Sequence, residues 1–285
     1  MSRTSRVLAH FYLRLMIHNP FTWVVMSAVV LSTVLVSLDS VRTLQAERLP
    51  LQAFEAMLFL IFNNYLYIMF CLLFGFVFIV STMFYIKESD RFILYRIRYR
   101  GEIWVGKCLA IIQTTALFLG AVFLTSFAVV AFHHPVKLTW SHTYAQMIEM
   151  VQKGSGELDP IYYIASPYIY NTFNPFVLLV LQALLFYLVF LVVGLCSVIL
   201  FQSIKRPVLS LVFIVVYLFA WDIGSLLFVY HPLMFLTPPA HLLLFQHVPT
   251  GDVYISYTMS FSFWIPVLLL LITTGLFQTE RMQLG

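Results

Sequence analysis

Residues 57–86 read MLFLIFNNYLYIMFCLLFGFVFIVSTMFYI and hold no Lys, Arg, Asp or Glu. As one helix they would be about 45 Å long, against about 30 Å for the hydrocarbon core of a bilayer. In lipid every backbone amide must be bonded within its own segment, so an apolar run of this length reads as a membrane-spanning helix. The rest of the chain has the same character. Of its 285 residues 61% are hydrophobic and 10% charged, whereas soluble domains are about a quarter charged. The 16 basic and 12 acidic residues cannot cover a water-facing surface of that size.

Outward from this run, five more apolar stretches follow the same rule: 21–38, 108–132, 175–201, 208–230 and 259–277. None holds Lys or Arg, and Asp222 is the one acidic residue within any of them. The expected fold is therefore an all-α polytopic membrane protein, a single transmembrane domain over 1–285 with six spans. Cys71, Cys108 and Cys196 each sit inside an apolar run, which excludes a disulfide framework and a Cys-rich zinc site. A net charge of +4 is small for a nucleic-acid binder.

The basic residues orient the spans. Twelve of the 16 fall on one side: Arg3, Arg6, Arg14, Lys87, Arg91, Arg96, Arg98, Arg100, Lys107, Lys205, Arg206 and Arg281. Arg42, Arg48, Lys137 and Lys153 fall on the other. By the positive-inside rule both termini are expected in the cytoplasm of a multi-pass protein of the cell membrane. The first apolar run is 18 residues long with no small-x-small cleavage pattern after it, so it reads as a span rather than a signal peptide.

Ahead of it, Val7, Leu8, Phe11, Tyr12 and Leu15 gather on one side of a helical wheel and Arg3, Arg6, His10 and Arg14 on another. This predicts an amphipathic helix lying flat on the cytoplasmic leaflet, with Asn19-Pro20 turning the chain into the membrane. On the outer side, Pro232, Pro238, Pro239 and Pro249 interrupt an apolar loop before the last span. Short helices dipping into the outer leaflet are expected there.

The connection after residue 86 is basic and aromatic. It runs Lys87-Glu88-Ser89-Asp90-Arg91-Phe92 through Tyr99-Arg100-Gly101-Glu102-Ile103-Trp104-Val105-Gly106-Lys107. A short helix would set Phe92, Tyr95 and Tyr99 at spacings of three and four, with Arg91 and Arg98 seven apart. Aromatic knobs among fixed charges suit docking into a groove of a soluble partner, while an ordinary positive-inside loop would use the same residues only to set topology.

This acidic start at Glu88 and Asp90, the basic-aromatic segment, and Glu102-Ile103-Trp104-Val105-Gly106-Lys107 opening a span resemble the type-2 permease family of ATP-binding-cassette transporters. Six spans, internal termini, an N-terminal interfacial helix and broken helices before the last span are similar to it too, so the resemblance covers nearly the whole chain. One departure is that the family often has Gly-Thr shortly after the acidic residue, where this chain has Asp90-Arg91 and Phe92. The resemblance implies that Glu88, Arg91, Phe92, Tyr95, Arg98 and Tyr99 belong to a coupling helix docking on a nucleotide-binding ATPase subunit. It also implies a homodimer, or a heterodimer with a similar permease, and an amphipathic or hydrophobic cargo: a peptide, a lipid-linked molecule or a drug.

No Gly-x-x-x-x-Gly-Lys-Ser/Thr loop, Gly-x-Ser-x-Gly or His-Glu-x-x-His occurs. The chain is thus not expected to be an enzyme or to carry a cofactor; ATP and Mg would bind the partner subunit. Asn63, Asn64 and Asp222 are the pathway candidates, since polar groups within a span hydrogen-bond across helices or serve a function. His133, His134, His142, His231, His241 and His247 fall outside the spans at irregular spacing, and read as interfacial residues more readily than as ligands. The rival reading is a polytopic scaffold or channel with no ATPase partner.

Overall fold

The structure is a computed structural model describing residues 2–47, 49–62, 64–82, 101–152, 166–204, 207–220, 236–247 and 255–281. Among these residues it is helical throughout, with no strand. The helices are α1 (Arg3–His18), α2 (Pro20–Ala46), α3 (Ala53–Ala56), α4 (Phe74–Ser81), α5 (Gly101–Ala131), α6 (His142–Gln152), α7 (Pro167–Thr172), α8 (Pro175–Ile204), α9 (Pro207–Leu218), α10 (Pro238–Leu242) and α11 (Tyr257–Arg281). Proline opens α2, α7, α8, α9 and α10, where its missing N–H costs nothing and its fixed φ suits the first turn.

Four helices, α2, α5, α8 and α11, are long and apolar enough to cross a membrane, compatible with a multi-pass membrane protein. The other two expected spans appear as the shorter apolar helices Tyr67–Ser81 and Leu209–Leu218, and their continuations over 83–86 and 221–230 lie outside the described residues. The helices also outrun their apolar stretches: α2 continues through Asp39 and Arg42 to Ala46. Hydropathy marks the part of a helix suited to lipid, whereas backbone bonding carries the helix further.

Contacts between helices give their directions. Thr22 and Thr82 meet through their hydroxyls at 3.3 Å, and Thr33 meets the Tyr67 hydroxyl at 2.7 Å, so α2 and the following element are antiparallel. Trp104 of α5 donates to the Ile272 carbonyl of α11 at 2.8 Å, and Tyr187 of α8 to the Ile112 carbonyl at 3.2 Å. Tyr257 donates to Gln182 Oε1 at 2.8 Å, and Gln278 Nε2 to Ser203 Oγ at 3.0 Å. Both pairs have the same sequence offset, so α8 and α11 run parallel. Along either helix the two ties are about 31 Å apart, close to the thickness of a bilayer core.

The second apolar stretch is not one regular helix. Met57–Ile61 and Tyr67–Leu73 are π-helical, and the helix is interrupted between them. Asn64 Oδ1 accepts the Tyr67 N–H at 3.1 Å, and the Asn64 carbonyl accepts the Ile68 N–H at 3.0 Å. A short amide side chain that bonds its own backbone competes with helix continuation and then caps the next segment. On either side of the interruption Phe62 meets Phe186 and Phe76 meets Phe190.

Phenylalanines fill the centre in three tiers. Phe54, Phe127 and Phe176 make the first, Phe62, Phe123 and Phe186 the second, and Phe76, Phe118 and Phe190 the third, with ring centroids 4.4–6.3 Å apart. α8 is the central helix, while α2 and α11 keep Trp23, Leu31, Leu35, Leu269, Leu270 and Phe277 on the surface. α1 differs from its expected placement. Its Leu8 backs on Gly106 and its Met16 sulfur accepts from the Thr114 hydroxyl at 3.4 Å. These two contacts share one offset, so α1 runs alongside the first half of α5, and Leu8 and Tyr12 of its apolar stripe are buried.

Phe186 is fully buried and faces Phe62, Phe123 and Phe190. Phe186→Ala is expected to destabilise the protein by about 3 kcal/mol through the cavity it leaves, read as a lowered midpoint of unfolding in mixed micelles.

Candidate functional site

Most residues singled out by the sequence, Glu88, Arg91, Phe92, Tyr95, Arg98 and Tyr99 together with Asn63 and Asp222, lie outside the described residues. Asn64 is described and is exposed. Its carboxamide oxygen turns to its own chain, on Tyr67 N–H, rather than to a neighbouring helix.

The described residues nearest the basic-aromatic segment form a three-helix junction at the start of α5. Trp104 is fully buried; its indole N–H reaches Ile272, and a Cβ on Gly275 would lie within 2.0 Å of its ring. Only glycine lets α11 come so close. Two residues on, a Cβ on Gly106 would meet Leu8 Cβ at 2.7 Å, with Ser5 O at 3.4 Å, so the backbones of α1 and α5 are nearly in contact. Lys107 is buried at 6% exposure, its ammonium 5.5 Å from the centroid of the Tyr12 ring, within the range of a cation–π attraction. Trp104, Gly106 and Lys107 thus lock the first two turns of α5 between α11 and α1.

A second polar cluster joins the opposite ends of the long helices. Glu55 is fully buried, its Oε2 accepting the Gln52 N–H at 2.8 Å and its Oε1 the Ser141 N–H at 2.5 Å, with the Ser141 side chain also bonded to it. Burial pushes the Glu55 carboxyl above its usual range against these three bonds. Ser141 Oγ in turn accepts the Tyr144 N–H at 3.0 Å and opens α6. His134 Nδ1 lies 3.0 Å from the Leu51 carbonyl, and Ala53 N–H donates to Pro135 O at 3.1 Å. Burial holds the His134 ring below the ordinary histidine value, outweighing its bond to Leu51; neighbouring His133 adds to the lowering. Trp140 donates to Phe173 O at 2.7 Å and stacks on Tyr144 at 4.5 Å.

Helical pieces do interrupt the proline-rich loop: α10 and a 3-10 turn at Leu244–His247. Gln182 Nε2 donates to the Leu242 carbonyl, about 10 Å along α8 from Pro175, so α10 sits beside the body of α8 rather than beyond its end. His241 Nδ1 lies 2.9 Å from Ser260 Oγ, and both ring nitrogens of His247 face backbone carbonyls. Among the described residues no three of His, Cys, Asp and Glu come together as a metal site requires.

No family model, no curated protein and no solved structure matches this chain. The sequence reading quoted Trp104 and Gly106 as part of a motif without giving them a task, and used Lys107 only as one of the basic residues that orient the spans. It placed Tyr12 only on the apolar side of the first helix and passed over Glu55 and Gly275, although a glycine within an apolar helix and an acid beside an apolar run were both visible signals.

Two outcomes test these clusters. Gly275→Ala should destabilise the fold, and Trp104→Leu should remove most of that added cost. A double-mutant cycle in detergent should therefore give a coupling of about 1–3 kcal/mol. A carboxyl whose pKa is raised on folding contributes stability that is full below its unfolded value of 4.5 and lost as pH rises through the folded one. The thermal midpoint should accordingly fall from pH 4.5 towards 7 in the wild type, and this slope should flatten in Glu55→Gln.

Proposed function

We propose that this chain is the membrane-spanning permease subunit of an ATP-binding-cassette exporter, powered by a separate nucleotide-binding subunit and working as a dimer. The observation that carries the reading is the junction at Trp104, Gly106 and Lys107. The segment 88–99, with its aromatic knobs at Phe92, Tyr95 and Tyr99 and its charges at Glu88, Arg91 and Arg98, feeds directly into it. Closure of the ATPase subunits would push this segment, and α5 would pass the displacement to α1 and α11 together.

The interrupted second element also supports a pathway. Irregular backbone at membrane depth is tolerated where it is buried in protein or lines a hydrated cavity. Asn64, exposed at the interruption, is level with the middle of α2 through the Thr33–Tyr67 bond. With Asn63 it would border a path for an amphipathic or hydrophobic cargo, and Asp222 would lie near its outer exit. Cytoplasmic termini in the cell membrane follow from the distribution of basic residues.

The test is affinity capture of this chain, with any P-loop ATPase bound to it, from the cells that produce it, followed by measurement of ATP hydrolysis in proteoliposomes. Combined replacement of Phe92, Tyr95 and Arg98 by Ala should leave insertion and dimerisation intact and reduce captured ATPase at least tenfold. Normal capture and turnover by the triple variant would place docking elsewhere. Capture of no ATPase by the wild type would favour a scaffold or channel.

A further inference from the structure

α1 has two unlike faces. Ser5, Leu8, Ala9, Tyr12 and Met16 are buried, and the contacts of Leu8 and Met16 put that side against α5. Arg3, Arg6, His10 and Arg14, spaced by three and four residues, are exposed along another side. α1 holds no acid, and the first acid of the chain is Asp39. No acidic side chain among the described residues pairs with the three guanidinium groups. Apolar side chains are set between them: Val7 is 61% exposed and Ile17 38%. The stripe ends where the first long apolar helix begins. Asn19 Oδ1 accepts the Phe21 N–H at 3.0 Å, and the Trp23 indole N–H donates to the Ile17 carbonyl at 2.6 Å, so the last turn of α1 is tied to the first turn of α2. Phe21 and Trp23 are both exposed, and a tryptophan at the end of a span suits the edge of a bilayer.

We propose that the exposed face of α1 is a binding surface for anionic phospholipid, with Arg3, Arg6 and Arg14 holding headgroup phosphates while Val7 and Ile17 meet the adjoining acyl chains. A guanidinium offers a planar fork of donors that matches phosphate oxygens in pairs. Arg14 lies about 12 Å along the helix from Arg6, so the stripe reaches beyond a single headgroup. Charge complementarity with an acid-free basic helix calls for an anion, and the interleaved Val7 and Ile17 decide which kind. A free anion in water would answer the arginines and leave both apolar side chains wet, whereas the headgroup layer supplies phosphate and hydrocarbon side by side. Position agrees, because basic residues next to the start of a span are where anionic lipids gather. An interfacial helix held by its own apolar side is bound mainly by burial. Here that side is given to α5, and what α1 keeps for the leaflet is chiefly charge. Lipid headgroups are thereby brought to the outer side of the α1–α5 contact at Gly106.

Binding is read on this chain alone, without any ATPase, by mass spectrometry of the intact protein released from bilayers in which phosphatidylglycerol replaces phosphatidylcholine stepwise. The wild type should retain phosphatidylglycerol in excess of its share of the bilayer. At about fivefold in affinity for each basic residue near a charged surface, Arg3→Gln, Arg6→Gln and Arg14→Gln together should weaken that retention on the order of a hundredfold. Arg42→Gln with Lys137→Gln, which removes two exposed charges elsewhere, should leave it unchanged. In the wild type the preference should shrink as salt is raised and survive inorganic phosphate added at constant ionic strength. Retention of the two lipids in bilayer proportions by the wild type overturns the proposal. So does a preference of wild-type size in the triple variant, an equal loss in the Arg42 and Lys137 variant, or displacement of the lipid by inorganic phosphate. Should the Gln variant fail to insert, the corresponding Lys variant keeps the charges without the fork and should retain a weaker preference. A wild-type preference that salt leaves untouched overturns the proposal without any variant.

Discussion

Hydrogen-bond satisfaction inside an apolar bundle is the constraint on which this structure depends. A polar group buried among Leu, Val and Phe side chains costs several kcal/mol if left without a partner, and this chain places many hydroxyls there. Most are served locally. Thr33 bonds Val29 O, Ser40 bonds Val36 O, Thr114 bonds Ala110 O, Thr115 bonds Ile111 O, Ser197 bonds Val193 O and Thr279 bonds Gly275 O, each one turn back along its own helix. Side chains satisfied in this way leave the helix faces free to pack by shape.

The few polar bonds that cross between helices then have a disproportionate effect on geometry. Two of them, at Gln182–Tyr257 and Ser203–Gln278, set α8 and α11 parallel and in register. Thr33–Tyr67 and Thr22–Thr82 fix the register of α2 against the second element, which runs antiparallel to it. Between these ties the tiers of phenylalanine supply contact area. In lipid, where apolar association gains little from excluding water, van der Waals fit and hydrogen bonds decide which faces meet. That is why Gly75, Gly106, Gly194 and Gly275 lie at the closest approaches, each where an added Cβ would come within 3 Å of a neighbouring side chain.

The same logic separates a rigid end from a yielding one. Around Trp104 the three helices touch through an indole, two glycines and a buried lysine, leaving little room to slide. Around α10 the contacts run through histidine, glutamine and tyrosine side chains to single backbone carbonyls. Such bonds are directional and few.

Sequence alone determined the class of this protein and the places of its long helices, because the length of charge-free runs is a one-dimensional property that the bilayer reads directly. It also located the proline-broken element and the amphipathic first helix, since proline and helical periodicity act within a few residues. Tertiary structure alone decided where the apolar stripe of α1 goes. Leu8 and Met16 would serve lipid as well as protein, and only the bare backbone at Gly106, nearly a hundred residues away, offers α1 its groove. It alone decided that the second run breaks at Asn64, whose side chain turns to the Tyr67 N–H of its own chain. It alone gave Glu55, His241 and His247 their tasks, which depend on carbonyls and N–H groups that are distant or irregularly spaced in the chain and that no local pattern could have assigned to them.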